Sequence, residues 1–431
     1  MKVNETVKLL ESDGARTLMA RLYGEDGVEA NVKRYEDLLA GYEKMFGGEG
    51  DVMLFSSPGR TEISGNHTDH NHGKVLAGSI NLDCVGVAGK NESNQVHIVS
   101  ETYNQDFTID LNHLEPSEKK AGTVDLVKGL LQGFKDSGYS VGGFNAYITS
   151  NVISAAGVSS SASFEMLLCS MLNTFFNESR MSTVAYAHIG KFAENNYWDK
   201  ASGLLDQMAC AVGGLITIDF MEPLTPKVEK IDFDFGSQDH SLIIVQTGKG
   251  HADLSADYSA VPAEMKKVAR YFGKEVLSQV SEEQVIDNLA EVRQFAGDRS
   301  VLRALHFFEE NKRVEAEVLA RYCFVWLILL SATCVFGQRD HICITFLKDK
   351  LTGSARKTLD IINEIVIIIF SGTILVYGGM VITTMNMLQY DSILKIPTGT
   401  VYSIIPVCGV LIIFYSLYNL REIFTKKEGG V

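Results

Sequence analysis

Residues 155–163 read Ala155-Ala156-Gly157-Val158-Ser159-Ser160-Ser161-Ala162-Ser163. A strand-forming run at 144–149 precedes this stretch, and an apolar run with helical spacing at 164–176 follows it. The pattern predicts a loop that leads into the first turn of a helix. Backbone N–H groups at such a turn lack intrahelical partners, and hydroxyl side chains add donors, so the stretch favours phosphate binding. An ordinary Ser-rich helix cap would give the same pattern.

A second polar segment lies between two strand-forming runs, 51–55 and 80–87. It reads Pro58-Gly59-Arg60-Thr61-Glu62-Ile63-Ser64-Gly65-Asn66-His67-Thr68-Asp69-His70-Asn71-His72-Gly73-Lys74-Val75. Its position predicts that it lines a cleft at the end of a sheet. The three histidines leave a zinc site open as an alternative, but their spacing fits neither a helical pair nor a zinc finger. Its amide, imidazole and carboxylate groups favour hydrogen bonding to a polyhydroxylated substrate.

A carboxylate follows in an otherwise apolar setting. Asp206 lies in Gly203-Leu204-Leu205-Asp206-Gln207-Met208, which predicts a buried helix before a strand at 215–220. A buried carboxylate is either paired or catalytic. The alternative is that Asp206 or Gln207 caps a turn.

These three segments, in this order and spacing, resemble the galactokinases of the GHMP small-molecule kinase superfamily. The resemblance rests on a Pro-Gly-Arg…His-Thr-Asp signature, a Gly-x-Ser-Ser-Ser-Ala phosphate loop and a Gly-x-x-Asp-Gln segment. Three further segments agree with it: 248–258, 262–265 and 303–308. It covers residues from about 15 to about 318.

The resemblance implies ATP and Mg²⁺ as cofactors and galactose or a related sugar as substrate. It implies that Asp206 orients or deprotonates the sugar hydroxyl, with Arg60 as its partner near the γ-phosphate. Ser161 and Glu194 would hold Mg²⁺. The triphosphate would lie along Gly157, Val158, Ser159, Ser160, Ser161, Ala162 and Ser163.

For the sugar, the resemblance implies contacts from Glu62, Asn66, His67, Asp69 and Tyr258. Two of these depart from the family pattern. Asn66 stands where Glu is commoner, and Glu62 stands where Asn is frequent. An exchange of carboxylate and amide between the two positions is one explanation.

Charge and cysteine content restrict the ligands and the compartment. The formal net charge is −14; the residues before Arg321 sum to −17 and those from Arg321 onward to +3. An acidic front part without a basic stripe predicts no nucleic-acid partner and favours small molecules. The seven cysteines form no CxxC pair, so we expect a reducing compartment and a cytoplasmic kinase part.

From Leu319 the sequence becomes strongly apolar. Three stretches, at about 319–337, 361–387 and 401–420, are expected to cross a membrane as helices. Buried helices of a soluble domain are the alternative, but too little amphipathic sequence is present to cover three of them. We therefore predict two domains, residues 1–318 and residues 319–431.

The apolar part resembles the small membrane subunit of tripartite ATP-independent periplasmic (TRAP) transporters. The resemblance covers about residues 317–425 and rests on 320–322 with Trp326, 339–342, 355–357 and 396–399. That family has four spans, whereas three are present here. The resemblance implies contact with lipid of a bacterial inner membrane. It also implies, as partners, a large permease subunit and a periplasmic binding protein.

The kinase resemblance lacks one element. GHMP kinases carry a late glycine-rich motif that completes the second lobe, whereas the glycines after Val318 are isolated apart from Gly378-Gly379 and Gly429-Gly430. The expected fold is therefore an α+β two-lobed GHMP kinase fold with a truncated second lobe, followed by an all-α transmembrane segment. A truncated lobe predicts low or absent turnover.

Membrane topology adds a constraint. Basic residues place the first loop, with Arg356, and the C-terminal tail, with Arg421, in the cytoplasm. Three crossings would then place the kinase part outside, away from ATP. The kinase part stays cytoplasmic if the first apolar stretch does not cross.

Several functions remain open from the sequence. The kinase resemblance implies ATP-dependent phosphorylation of galactose at its C1 hydroxyl. The alternatives are a TRAP membrane component with a non-functional kinase remnant, or a chimeric gene product without joint function. A non-catalytic sugar-binding protein is disfavoured, because such a protein needs neither Arg60 nor Asp206.

Overall fold

The computed structural model describes residues 1–118, 122–152, 156–198, 202–233, 242–245, 255–337 and 353–425. The chain divides into two compact units, Met1–Lys312 and Arg313–Val431. The predicted domain boundary after residue 318 lies close to this division. Residues 248–254 of the first resemblance, residues 339–342 of the second and the C-terminal tail beyond Thr425 lie outside the described residues.

Among the described residues, a seven-stranded sheet forms the centre of the first unit. The strands run in the order β4-β3-β5-β2-β6-β7, with β1 paired to β2. The β3–β5 pair is parallel and the other pairs are antiparallel. The strands are β1 (Met53–Ser64), β2 (Lys74–Lys90), β3 (Gln95–Ser100), β4 (Gln105–Asp110), β5 (Phe144–Ser150), β6 (Leu215–Asp219) and β7 (Lys227–Ile231).

Helices cover both faces of the central strand β2. Because successive side chains of a strand point to opposite faces, Val85 and Val87 pack with the first group of helices and Cys84 and Ala88 with the second. The first group is α1 (Val3–Leu10), α2 (Asp13–Tyr23) and α3 (Val28–Phe46); the second includes α4 (Thr123–Asp136), α5 (Ser160–Phe176) and α6 (Thr183–Tyr197). This mixed sheet between helices confirms the α+β prediction.

A second core in the first unit is built from helices. Its buried residues include Met265, Leu277, Val285, Val292 and Phe307. They come from α8 (Ser255–Tyr271), a short turn, α9 (Glu282–Asp287), α10 (Leu289–Ala296) and the beginning of α11 (Asp298–Gly337). Helix α7 (Leu205–Val212) belongs to a different core, in which it packs with residues of β2 and β6. This helical core is separate from the cores that pack against the sheet.

In the part of the chain that the structure describes, three helices are long and apolar enough to cross a membrane: Asp298–Gly337, Ser354–Met385 and Thr398–Thr425. Their most apolar 18-residue stretches have mean hydropathies of 2.0, 2.5 and 2.0, and only 11%, 11% and 33% of each is buried within the protein. Apolar side chains that face outward along a whole helix are suited to contact with lipid. The predicted all-α transmembrane segment is therefore confirmed.

Small residues bring the last two of these helices together. A Cβ atom on Gly379 would lie 2.9 Å from Cγ2 of Ile405, and one on Gly409 would lie 2.7 Å from Cβ of Leu375. The backbones can approach closely only because these positions carry no side chain, as is common between membrane helices. The second helix includes a π-helical segment, Ser371–Gly378.

Candidate active site

The predicted phosphate loop has the backbone that its glycine and serines suggested. Gly157 and Ser159 adopt left-handed φ angles of 75° and 58°, and α5 begins directly afterwards at Ser160. Ser159 Oγ is buried and has no hydrogen-bond partner within the described part of the chain. The first turn of α5, Ser160–Ser163, therefore presents N–H groups and hydroxyls beside an unpartnered hydroxyl.

Strand β1 holds this loop in place. The Arg60 N–H donates to Val158 O at 3.2 Å, and Ser163 Oγ donates to Ser57 O at 2.7 Å. A Cβ atom on Gly59 would lie only 2.9 Å from Val158 O. The strand predicted at 51–55 is longer than expected, because β1 continues into the polar segment as far as Ser64. Arg60 and Glu62 are consequently fixed on a strand.

Arg60 joins the phosphate loop to Asp206. Its Nε and Nη2 atoms donate to Asp206 Oδ1 at 2.9 and 2.6 Å, and its Nη1 atom donates to Gly157 O. The Arg60 side chain is 12% exposed and that of Asp206 31% exposed. Asp206 lies in the first turn of α7. Its hydrogen-bonding partner, Arg60, comes from strand β1, which is distant in sequence.

The two predicted Mg²⁺ ligands lie next to each other. Ser161 Oγ donates to Glu194 Oε1 at 2.8 Å. The Glu194 carboxylate is fully buried and also accepts hydrogen bonds from Ser202 Oγ and, at 3.1 Å, from Gln207 Nε2. These bonds fix the orientation of Glu194 beside the first turn of α5.

The predicted sugar contacts His67 and Tyr258 face each other. Their rings form an edge-to-face pair with centroids 5.7 Å apart, and the His67 N–H donates to Glu62 Oε1 at 3.1 Å. Burial raises the pKa of Glu62 to about 8; Arg60 opposes this shift, and the neighbouring carboxylates of Asp69 and Asp206 add to it. Glu62 is therefore largely protonated at neutral pH in this state.

Asp69 is engaged with the backbone. Its Oδ2 atom accepts the N–H groups of Leu204 and Leu205 at 2.9 and 3.2 Å, where α7 begins, and its Oδ1 atom accepts the His70 N–H at 2.9 Å. A Cβ atom on Gly203 would lie 1.7 Å from Oδ2. Asp69 thus fixes the start of the helix that carries Asp206.

The sequence prediction missed the residues that hold the backbone around Asn66. Buried Glu310, 4% exposed, accepts the N–H groups of Gly65 and Asn66 at 2.8 and 3.2 Å. His306 Nε2 contacts Asn66 O at 2.9 Å, and Asn311 Oδ1 accepts the Lys74 N–H at 2.7 Å. The run Glu309-Glu310-Asn311-Lys312 looks like an exposed helix surface, so only the fold reveals this role.

The chain is similar in sequence to bacterial galactokinases. A galactokinase of Clostridium tetani is 30% identical over 269 residues, covering 62% of this chain and 68% of that protein. A galactokinase of Lactococcus lactis subsp. lactis is 30% identical over 328 residues, covering 74% and 78%. The chain belongs to the galactokinase family.

Two family models match this galactokinase-family chain in its first unit. The galactokinase galactose-binding signature matches residues 40–90, and the GHMP kinases N terminal domain matches residues 125–214. A crystal structure of Lactococcus lactis galactokinase complexed with galactose superposes with a TM-score of 0.59 at 26% identity, covering 69% of this chain and 76% of that one. The two-lobed GHMP kinase fold is thereby confirmed.

A third family model matches the other end of this galactokinase relative. The model described as tripartite ATP-independent periplasmic transporters, DctQ component, matches residues 301–426. Its match includes all three apolar helices in part or whole. The TRAP resemblance is confirmed, so a sugar-kinase part is fused here to a segment of inner-membrane type.

Proposed function

We propose that the first unit transfers the γ-phosphoryl group of ATP to the C1 hydroxyl of galactose. The proposal rests on the hydrogen bonds of Arg60, which donates both to the Asp206 carboxylate and to the carbonyl oxygen of Gly157. A carboxylate, a cation and a phosphate loop then meet at one point. Phosphoryl transfer needs these three groups around an aligned hydroxyl.

In the proposed reaction, Asp206 accepts a hydrogen bond from the sugar hydroxyl and orients it for attack, and can take up its proton as the new P–O bond forms. Arg60 holds the Asp206 carboxylate in position through two hydrogen bonds, and its positive charge stabilises the negative charge that spreads over the moving phosphoryl group. The Gly157–Ser163 stretch binds the triphosphate through backbone N–H groups and hydroxyls.

Ser161 and Glu194 fit Mg²⁺ as a cofactor. Both supply oxygen donors, and Mg²⁺ prefers one or two such protein ligands together with phosphate oxygens. Bound there with ATP, the ion would neutralise phosphate charge. Gln207 and Ser202, which donate to the Glu194 carboxylate, keep that carboxylate in one orientation.

The sugar would contact Glu62, Asn66, His67, Asp69 and Tyr258. Support for galactose comes from the galactose-binding signature over residues 40–90 and from the galactose complex of the Lactococcus lactis relative. A protonated Glu62 can donate to a sugar hydroxyl as well as accept from one. It thereby replaces an amide at this position.

The test is phosphorylation of galactose, glucose and mannose by the full chain in detergent with ATP and Mg²⁺. We expect slow turnover with galactose, because the second lobe is truncated. Asp206→Asn should lower this turnover by about a hundredfold or more, and Asp26→Asn, at an exposed position, should leave it unchanged. A folded full chain that phosphorylates none of these sugars would refute the proposal.

We also propose that the second unit acts as a TRAP-type membrane component, because the DctQ model matches residues 301–426. Its partners would be a large permease subunit and a periplasmic binding protein. The test is co-expression with a tagged TRAP large subunit and purification in detergent. Co-purification of this chain supports the proposal; recovery of the large subunit alone would favour a chimeric product without joint function.

A further inference from the structure

A cavity of about 490 Å³ lies beside the proposed sugar site. Helix α6, helix α8 and the turn that follows Asp69 contribute to its wall. Among the residues proposed above for catalysis, sugar, nucleotide and metal, only Asp69 lines it. Its volume is in the range of ordinary small-molecule sites.

Positive charge is concentrated in this cavity although the first unit is strongly acidic. Two lysines, Lys191 and Lys266, line it together with the imidazoles of His70 and His72. Within the described residues, neither lysine forms an ion pair. Burial lowers the pKa of Lys191; Asp69 opposes this shift and Lys266 adds to it. A bound anion would stabilise the charged forms of two lysines that repel each other in a partly buried wall.

One carboxylate, that of Asp69, lies on the same wall as the two lysines. Asp69 lies 3.9 Å from His70 Nε2, but its oxygens accept the backbone N–H groups of His70, Leu204 and Leu205. Burial lowers the pKa of His72, Lys266 and Lys191 lower it further, and Glu222 and Glu275 oppose this shift. The two lysines therefore outnumber the single carboxylate on the wall.

We propose that this cavity binds a phosphorylated sugar as a second ligand, separate from the substrate of the kinase reaction. Lys191 and Lys266 would bind the phosphate, with the two histidines as further donors. Asn195 and Ser202 offer polar groups for hydroxyls, and Leu204 and Pro262 supply an apolar surface. An inorganic phosphate ion alone would leave most of the volume empty.

This ligand would contact residues that are bonded to the proposed catalytic groups. Ser202 Oγ donates to Glu194, and Asp69 fixes the start of the helix that carries Asp206. Binding in the cavity is therefore placed to influence both the metal ligand and the base. The inference does not depend on the kinase reaction, since it is tested by binding alone.

The experiment is calorimetric titration of the full chain in detergent with glucose 6-phosphate, glucose and inorganic phosphate. The variants are Lys191→Gln, Lys266→Gln and the double variant. Lys44→Gln, an exposed position on α3, is the charge-matched control, and Asp206→Asn reports on the proposed catalytic site. Circular dichroism verifies that every variant is folded.

We expect glucose 6-phosphate to bind more tightly than glucose or phosphate. The double variant should weaken binding by about tenfold or more, because charge-assisted hydrogen bonds are lost. Lys44→Gln and Asp206→Asn should bind as the unaltered chain does. Absence of binding, equal affinity for inorganic phosphate, or an affinity that Asp206→Asn lowers and the double variant does not would each overturn the proposal.

Discussion

Arg60 and Asp206 form the contact from which the proposed chemistry follows, and Asp206→Asn tests it at a single atom. The amide keeps the size of the side chain but cannot accept a proton, so we expect kcat for galactose to fall by about 10²–10⁴-fold. The KM for ATP should change little, since Asp206 does not belong to the phosphate loop. Steady-state kinetics in detergent measures both quantities, and a kcat within threefold of the unaltered chain would contradict the role as base.

Glu62 provides a pH-dependent test. Burial raises its pKa to about 8, so the folded chain holds a proton that an unfolded glutamate has already released near pH 4.5. The folded state consequently loses stability relative to the unfolded one as pH rises from about 5 to about 8, and no further above that. We expect the melting temperature of the unaltered chain to fall relative to Glu62→Gln over this window. A difference that does not change with pH would contradict the shift.

The exchange of Glu62 and Asn66 is clearer in the structure than in the sequence. The sequence shows a carboxylate at 62 and an amide at 66, but not what either side chain contacts. Glu62 accepts the His67 N–H, whereas the Asn66 backbone is held by Glu310 and His306. Motif positions were therefore enough to predict which residues belong to the candidate site. The contacts that orient these residues were not predictable, because they come from residues distant in sequence.

At the scale of an element, the beginning of α11 positions the turn that carries Asn66 and His67. Glu310→Gln replaces a charged acceptor of two backbone N–H groups by a neutral one, which weakens both bonds by about 1–2 kcal/mol in total. We expect the KM for galactose to rise about five- to thirtyfold, with the KM for ATP nearly unchanged.

The neighbouring residue is the control for this prediction. Glu309 is 60% exposed and pairs with Lys312, so Glu309→Gln should leave both KM values unchanged. If Glu309→Gln and Glu310→Gln raised the KM for galactose equally, or if Glu310→Gln raised both KM values equally, the cause would be a general loss of structure. Such a result would contradict a role of Glu310 in positioning the turn that carries Asn66 and His67.

The contact between β1 and the phosphate loop leads to a second element-scale prediction. A methyl group at Gly59 would lie within 2.9 Å of Val158 O and 3.1 Å of Ile80 and Val152, so Gly59→Ala must displace the loop. We expect the KM for ATP to rise about tenfold or more, given that misplacement of such a group by an ångström is costly. Gly14→Ala, where nothing lies within 4 Å, should leave kinetics unchanged.

Elements with strong local signals were predictable from the sequence. Helix α5 follows from its apolar spacing after a serine-rich cap, and β6 from a short apolar run after a glycine pair. The length of β1 was not, because residues 58–64 are polar and contain proline and glycine, and only pairing with β2 makes them a strand. Tertiary pairing here overrides local preference.

At the scale of the whole molecule, the basic residues predict a membrane orientation. Arg356, at the start of the second apolar helix, and Arg421, near the end of the third, are both expected in the cytoplasm, and two crossings between them satisfy this. A cytoplasmic kinase part then requires that the apolar end of helix Asp298–Gly337 does not cross. We expect protease to digest the kinase part in inverted vesicles and to spare it in intact spheroplasts.

The opposite pattern of digestion would mean that all three helices cross and that the kinase part lies outside, away from ATP. A chain recovered in the soluble fraction would contradict the membrane assignment itself. That assignment was predictable from hydropathy, since outward-facing apolar helices need no tertiary information to be recognised. The extent of the second lobe was not, because its helical core contains little motif sequence.

The bonds from Glu310 to Gly65 and Asn66 also determine the order of events during synthesis. Glu310 is added 245 residues after Gly65, which at about 5–20 residues per second means a delay of about 10–50 s. Until Glu310 has been added, the turn that carries Asn66 and His67 lacks the side chain that accepts its backbone N–H groups. The residues added next are those of the first apolar stretch. The turn that carries Asn66 is therefore fixed at about the time when the membrane-insertion machinery first binds the chain.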